Sequence, residues 1–226
     1  MALYNRIQGS SESGVMHQSL EILLRGVGYI KTHQRRFVMG GIVLILVVGV
    51  LIAWIYHLKS LNHQALVLYS QAFQEKDATR SLSLYKDLVA EYPNSPSAPL
   101  ARMALAKRAF QEKEYDQVIS WLEPVTRVDD SKAFLRLLAL HNIATAYEAK
   151  GEWPKVIEYY QKAVVDTKNE TREFSRYHLA RAYEHAGQLE KARQFYKEIQ
   201  DESQDVRLKE LVARRLIWLS QSNQEK

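Results

Sequence analysis

The sequence predicts an all-α protein, in which a single N-terminal transmembrane helix precedes an α-solenoid of about four helix pairs and a capping helix. Three observations predict this fold class. Helix-favouring residues are plentiful, whereas the 226 residues include only nine Gly and five Pro, a composition that favours helices over tight-turned sheets. Twenty consecutive uncharged, mostly apolar residues lie near the N-terminus. The remainder repeats a pattern of small and aromatic residues at intervals of 36 to 38 residues.

The apolar run FVMGGIVLILVVGVLIAWIY covers residues 37–56 and is expected to cross a membrane once. At about 1.5 Å per residue, a helix of this length matches a hydrocarbon core of roughly 30 Å. Trp54 and Tyr56 lie where an interfacial aromatic belt is expected. A cleaved signal peptide is the alternative, but its apolar region usually has roughly 7 to 15 residues and ends at a small-x-small cleavage site. The run is longer and lacks such a site, so we expect an uncleaved anchor.

Basic residues set the expected orientation. Lys31, Arg35 and Arg36 directly precede the span, and only Lys59 lies close after it. The positive-inside rule then predicts a single-pass protein of the inner (cell) membrane, with a cytoplasmic tail at residues 1–36 and a periplasmic or extracytoplasmic domain. We expect that repeat domain at residues 57–220 and a C-terminal tail at 221–226. From about residue 15 to the span, an interfacial amphipathic helix and a partly ordered tail are both open.

Composition excludes several functional classes. The chain has no Cys, which rules out disulfides, thiolate metal sites and cysteine nucleophiles. The net charge of +5 is concentrated before residue 60, where six basic residues face two acidic ones, while the remaining 25 basic and 24 acidic residues nearly cancel. The basicity therefore belongs to the membrane-flanking segment, and we expect no nucleic acid among the partners.

The repeated pattern is clearest in the C-terminal half. Its positions are Ile143, Ala144, Tyr147, Gly151, Val156, Tyr160 and Ala163 in one repeat, and Leu179, Ala180, Tyr183, Gly187, Ala192, Tyr196 and Ile199 in the next, 36 residues later. Looser copies precede them. The pattern resembles the tetratricopeptide repeat, with small residues where two helices cross and an aromatic residue late in the second helix. This resemblance implies a tetratricopeptide-like α-solenoid of stacked helix pairs over residues 62 to about 220, closed by a capping helix from about Val206 to Ser220.

Local signals predict where helices begin and end. Ser95 and Pro96 are expected to be the N-cap and first-turn proline of a helix, and Pro124 to end or kink another helix early. Neither Gly nor Pro occurs between Val50 and Tyr92, so the membrane helix is expected to continue into the first repeat helix.

The chain contains no recognisable catalytic constellation. Its seven His form no metal-binding pair, and no Gly-rich phosphate loop lies outside the apolar run. We therefore expect no enzyme activity, no cofactor, no metal and no small-molecule substrate, which leaves protein partners. In stacked repeats of this kind, the first helices line a concave groove. The corresponding candidates for protein binding are Met103, Lys107, Phe110, His141, Thr145, Glu148, Tyr177, Arg181 and Glu184.

The whole layout resembles that of YfgM-type ancillary subunits of the bacterial Sec translocon: a short N-terminal tail, one span that ends in Trp54 and Tyr56, and a repeat domain beyond it. The resemblance implies a membrane-anchored protein–protein interaction scaffold, with the translocon and periplasmic chaperones as partners. The chain departs from those subunits in its more regular repeats and longer N-terminal segment. Residues 91–96 also resemble repeat boundaries in outer-membrane assembly and cell-division coordinator proteins. A scaffold for another envelope complex, in cell-wall synthesis, outer-membrane assembly or secretion, is therefore the alternative.

Overall fold

The computed structural model describes residues 34–166, 168 and 171–221, and every regular element within these ranges is helical. The chain divides into two units, Met1–Ser60 and Leu61–Lys226. Most of the expected N-terminal tail lies outside the described residues, and so do residues 222–226 of the C-terminal tail. The two alternatives for residues 15–33 also fall outside them.

Helix α1 covers Gln34–Gln74. It contains the whole predicted span, and it continues into the first repeat as the sequence predicts. From Val38 to Tyr56 its described side chains are exposed; Ile45, for example, is 72% exposed. Within the described residues, this is the helix that is long and apolar enough to cross a membrane. Its residues after Ser60 belong to the second unit.

The second unit continues as antiparallel helix pairs. Its further helices are α2 Ala78–Glu91, α3 Ala98–Gln111, α4 Tyr115–Leu122, α5 Ala133–Lys150, α6 Trp153–Val165, α7 Arg172–His185, α8 Leu189–Glu202 and α9 Val206–Gln221. Two short 3₁₀ turns, Glu123–Arg127 and Asp130–Lys132, connect α4 to α5. Each helix from α2 onward packs against the next in sequence. The expected four helix pairs and capping helix are confirmed, with the end of α1 as the first helix of the first pair.

The small and aromatic residues of the repeat occupy the positions that the pattern predicts. Ala144 and Ala180 are fully buried where neighbouring helices approach closely. Tyr160 and Tyr196 are at most 3% exposed and fill the space between adjacent pairs. Each pair has an apolar face that the next pair covers, so the stack is held by contacts between neighbours in sequence.

The turn between the helices of a pair has the same backbone conformation three times. Gly151 and Gly187 have φ angles of 73° and 74°, and Lys113 occupies the same repeat position with a φ of 62°. In each case the amide N–H of the following residue donates to a carbonyl five residues earlier in the chain; for Glu152 the acceptor is Tyr147, at 3.0 Å. This arrangement ends the first helix with a left-handed residue, a conformation that costs a side-chain-bearing residue more than glycine.

Pro124 ends a helix early, as predicted, whereas Pro96 does not lie in the first turn of a helix. Helix α4 ends at Leu122 and gives way to the 3₁₀ turn that contains Pro124, so the predicted early end is confirmed. The N-cap prediction is wrong by two residues, because α3 begins at Ala98 with Ser97 at its N-cap and Pro99 in its first turn. Ser95 belongs instead to the preceding turn, where its amide donates to the Tyr92 carbonyl at 3.0 Å.

The buried side chains of the second unit form two clusters. A small one joins the first two helix pairs through Ala72, Tyr85, Leu88 and their neighbours. A larger one runs continuously from α3 to α9. A cavity lined by residues of both clusters, among them Tyr85 and Leu122, lies where the two clusters meet.

Candidate functional site

The nine predicted groove residues occupy three equivalent positions on the first helices α3, α5 and α7. The structure divides them into two groups. The three residues of α3 line an open, mostly apolar cavity. The six residues of α5 and α7 contact one another or neighbouring helices through hydrogen bonds, ion pairs and ring contacts.

The apolar cavity has a volume of about 660 Å³ and lies between the first three helix pairs. Met103, Lys107 and Phe110 contribute to its lining, as predicted residues. Phe73 and Leu100 also line it, and they are 72% and 38% exposed. A pocket of this size and polarity is in the range that binds ligands or side chains of a partner.

Sequence reasoning missed Phe73 and Leu138, although the repeat register contained the signal. Phe73 precedes Phe110 by 37 residues, the interval between the first two repeats, so both occupy the same repeat position. Leu138 follows Leu100 by 38 residues, the interval between the second and third repeats. The predicted groove residues cover the last three repeats and three positions per helix, whereas Phe73 lies in the first repeat and Leu138 at a fourth position.

A second cavity of about 490 Å³ adjoins the first, and Leu138 lines both. Phe134, which is 76% exposed, and Leu137 contribute further apolar surface to it. His141 lies at its edge, the one predicted groove residue that lines this cavity. The exposed apolar surface therefore extends from the end of α1 to the start of α5.

His141 belongs to a cluster of rings between α5, α6 and α7. Its Nε2 lies 2.8 Å from the Ser175 hydroxyl, and its ring centroid lies 5.3 Å from Tyr160 and 6.0 Å from His178. Burial, with a smaller contribution from His178, lowers the pKa of His141 from 6.5 to about 4. Burial and then the charge of Arg181 lower the pKa of His178 as well. Both imidazoles are thus neutral at pH 7 and serve packing.

Thr145, Glu148 and Arg181 also have partners within the protein. The Thr145 hydroxyl donates to the His141 carbonyl at 3.0 Å. Arg181 lies 3.4 Å from Glu148, which connects α7 to α5. Arg181 and Lys107 are the two Lys or Arg residues among the predicted groove residues. The charge of the Arg181 guanidinium is balanced by the Glu148 carboxylate of the neighbouring repeat.

Tyr177 and Glu184 face the capping end of the solenoid. The Tyr196 hydroxyl donates to Glu184 at 3.0 Å, and Arg215 of α9 lies 3.5 Å from the same carboxylate. The Tyr177 ring lies 6.0 Å from that of Tyr196. These contacts join α7, α8 and α9.

Lys107 differs from the other charged groove residues. It is exposed, and no carboxylate of the described residues forms an ion pair with it. It is also the charged residue among those that line the larger cavity. The groove thus combines a large apolar surface with one uncompensated ammonium group.

The described residues contain no group of three or more His, Asp or Glu side chains arranged to hold a metal ion. In the ring cluster the hydroxyl that contacts His141 belongs to Ser175, which is fully buried, so this contact serves packing between α5 and α7. The arrangement offers binding chemistry, in which apolar contact and charge complementarity select a partner.

A family model for the tetratricopeptide repeat-like domain matches residues 29–154, more than half of the chain. The chain belongs to this tetratricopeptide repeat-like family. Two further models, each for a single tetratricopeptide repeat, match residues 139–172 and 174–204. Together the matches cover the predicted repeats from the first to the fourth, and such repeats generally mediate protein–protein interactions.

Solved structures support the same fold for this tetratricopeptide repeat-like protein. Two crystal structures of a candidate kinesin light chain with nearly identical tetratricopeptide-like repeats, from Podospora anserina, are similar to it, one of them a variant with a single substitution. Each is 19% identical and covers 75% of this chain and 88% of its own, with TM-scores of 0.52 and 0.51. At this identity the likeness concerns the fold alone. No curated protein matches the chain.

Proposed function

We propose that this protein is a membrane-anchored scaffold that binds protein partners through the groove formed by the first helices of its repeats. The observation that supports it most is the open apolar cavity of about 660 Å³ next to Lys107. Isolated exposed apolar residues are common, but a contiguous apolar concavity typically marks an interaction site. The repeat family supports a non-catalytic binding role.

The proposal includes the layout inferred from the sequence: a cytoplasmic tail at residues 1–36, a transmembrane helix at 37–56, a repeat domain at 57–220 beyond the membrane and a short tail at 221–226. Support comes from the length and apolar character of α1 and from the three basic residues directly before the span. A charge imbalance of this kind favours retention of the N-terminal side in the cytoplasm.

The absence of native Cys makes this topology directly testable. Single variants Ser11→Cys and Ser83→Cys would be exposed to a membrane-impermeant maleimide in sealed spheroplasts. We expect immediate labelling at Ser83, which is exposed on α2, and labelling at Ser11 only after the membrane is permeabilised. Labelling in the reverse order would overturn the orientation, and loss of the chain from carbonate-washed membranes would overturn the anchor.

For the partners we propose the protein translocon and periplasmic chaperones, on the basis of the layout that the chain shares with YfgM-type subunits. A photo-reactive amino acid at Phe110 would be activated in intact membranes, and the adducts would be read by mass spectrometry. The matched control is the same amino acid at Lys197, which is exposed on α8. Translocon or chaperone components are expected at Phe110 and not at Lys197.

Adducts with components of cell-wall synthesis, outer-membrane assembly or secretion would instead favour the alternative, a scaffold for a different envelope complex. The groove proposal fails if equal sets of proteins are captured at Phe110 and Lys197. It also fails if no protein is captured at either position while expression and membrane integration are normal.

A further inference from the structure

We propose that the apolar half of the groove binds a peptide segment whose large apolar side chains lie beside a carboxylate, and that Lys107 pairs with that carboxylate. This inference rests on the proposed scaffold function and names the chemistry of its partner. It concerns the surface around Phe73, Leu100, Phe110 and Leu138, which is called the apolar groove below.

The size of the cavity favours the side chains of a peptide over a lipid surface. An apolar cavity of about 150 Å³ holds one benzene ring, so 660 Å³ has room for about four groups of that size. Phe73 and Phe110 are 72% and 37% exposed at equivalent positions of neighbouring repeats. A flat lipid surface does not reach into a concavity of this kind, whereas the side chains of a peptide do.

The charge of Lys107 favours an acidic peptide. Among the cations on the groove face, Arg181 is paired with Glu148, and Lys107 has no ion-pair partner among the described residues. An ammonium group beside apolar side chains gains most from a carboxylate, because the surrounding surface excludes water and strengthens the interaction. A neutral or basic apolar peptide would lack this contribution.

Residues 222–226 and the segment before residue 34 lie outside the described residues. Residues 222–226, Ser-Asn-Gln-Glu-Lys, contain no apolar side chain that could fill the cavity. The apolar segment before residue 34 precedes the span, and the proposed topology puts it on the opposite side of the membrane. The occupant we infer is a segment of another protein, as the proposed scaffold function requires.

The test uses the full chain in nanodiscs of zwitterionic lipid and measures peptide binding by fluorescence anisotropy. The probe is a labelled peptide of roughly 18 residues with leucines at i, i+3, i+4 and i+7, flanked by glutamates. A basic peptide with lysines in place of the glutamates and a scrambled peptide with the leucines spread around the helix serve as comparisons. Empty nanodiscs measure binding to lipid.

We expect the acidic peptide to bind more tightly than the basic and scrambled ones. Lys107→Glu should weaken the acidic peptide about tenfold and tighten the basic one, since the charge preference is reversed. Phe73→Ser should weaken both peptides about tenfold through lost apolar contact. The matched controls, Lys197→Glu and Val165→Ser, change exposed residues on α8 and α6 and should alter binding by less than about twofold.

The inference is overturned if Lys107→Glu leaves the preference for the acidic peptide unchanged, or if the scrambled peptide binds equally well. Equal binding to empty nanodiscs would identify a membrane surface as the ligand, and self-association that competes with the peptide would identify a second copy; either result contradicts a peptide partner. If cross-linking in membranes captures partners at Phe110 but no peptide binds, the scaffold function stands and the inferred chemistry is wrong. If cross-linking captures none, both fail.

Discussion

Acidification should selectively loosen the packing between α5 and α7, because two neutral, half-buried imidazoles lie there. A histidine whose pKa is lowered by folding stabilises the protein fully above its unfolded pKa and loses that contribution as pH falls. For His141 the window runs from pH 6.5 down to about 4. The lowered pKa of His178 acts in the same direction.

The expected loss of stability follows from the pKa values of His141 in the unfolded and the folded protein. At pH 5 the unfolded imidazole is almost fully protonated and the folded one is not, which corresponds to a loss of about 2 kcal/mol relative to pH 7. The His141 ring is partly accessible to solvent, and screening reduces this to about 1 kcal/mol. Tyr160 of α6 and Arg181 of α7 face the pair, and the Arg181 charge makes protonation of His178 less favourable still.

The assay is hydrogen–deuterium exchange of the full chain in nanodiscs at pH 7 and pH 5, corrected for the intrinsic pH dependence of exchange. Local protection is the appropriate measure, since stacked repeats do not unfold in a single step. Amides of α5 and α7 should lose about 1 kcal/mol of protection at pH 5. The double variant His141→Gln with His178→Gln should lose much less, and the amides of α3 provide an internal reference.

Two results would refute this reasoning. Equal loss of protection in the wild type and in the double variant would show that other groups titrate. Equal loss in α3 and α5 would show a general acid effect on the repeat domain.

Three further results are expected. Lys113→Gly should raise the protection of the flanking amides of α3 and α4 by about 0.5 kcal/mol in hydrogen–deuterium exchange, whereas Gly151→Ala should lower that of α5 and α6 by about 1 kcal/mol. Both residues have positive φ, which glycine adopts at lower cost, and the Cβ added at Gly151 meets no neighbouring group within 4 Å, so its cost is conformational. Arg136→Met should cost about 3 kcal/mol by the same measurement and Arg136→Lys less, because Arg136 holds Asp166 at 2.7 and 3.1 Å with both side chains largely buried. Leu46→Arg near the centre of the span should cost about 3 kcal/mol of membrane insertion, seen as a carbonate-extractable fraction that Leu46→Ala does not produce.

The helix pairs could be predicted from the sequence because their signals are local and repeat. Gly151 and Gly187 mark a turn that requires a left-handed residue, and Ala144 and Ala180 mark a crossing that admits only small side chains. The same register also located Lys113, whose φ of 62° shows that the fold imposes this conformation without a glycine. Such constraints act within one repeat, so one sequence is sufficient to find them.

The candidate site was less predictable, because side-chain pairing between repeats depends on the stack. The register correctly brought Glu148 and Arg181 to the same face, yet nothing in the sequence says that they pair with each other at 3.4 Å. The start of α3 was misjudged for a related reason. Ser95 and Ser97 are both acceptable N-caps, and the turn that follows Tyr92 decides between them.

The repeats share one backbone register, but equivalent groove positions are apolar in the first two repeats and charged in the last two. The same repeat position is Phe73 and Phe110 in the first two repeats but Glu148 and Glu184 in the last two. The two glutamates are held by Arg181, Tyr196 and Arg215 and so stabilise the stack. The two phenylalanines contact the rings of Tyr69 and Tyr115, yet they remain 72% and 37% exposed. Because stability in stacked repeats is the sum of neighbouring contacts, the paired C-terminal half can hold the fold while the open N-terminal half keeps its apolar surface for a partner.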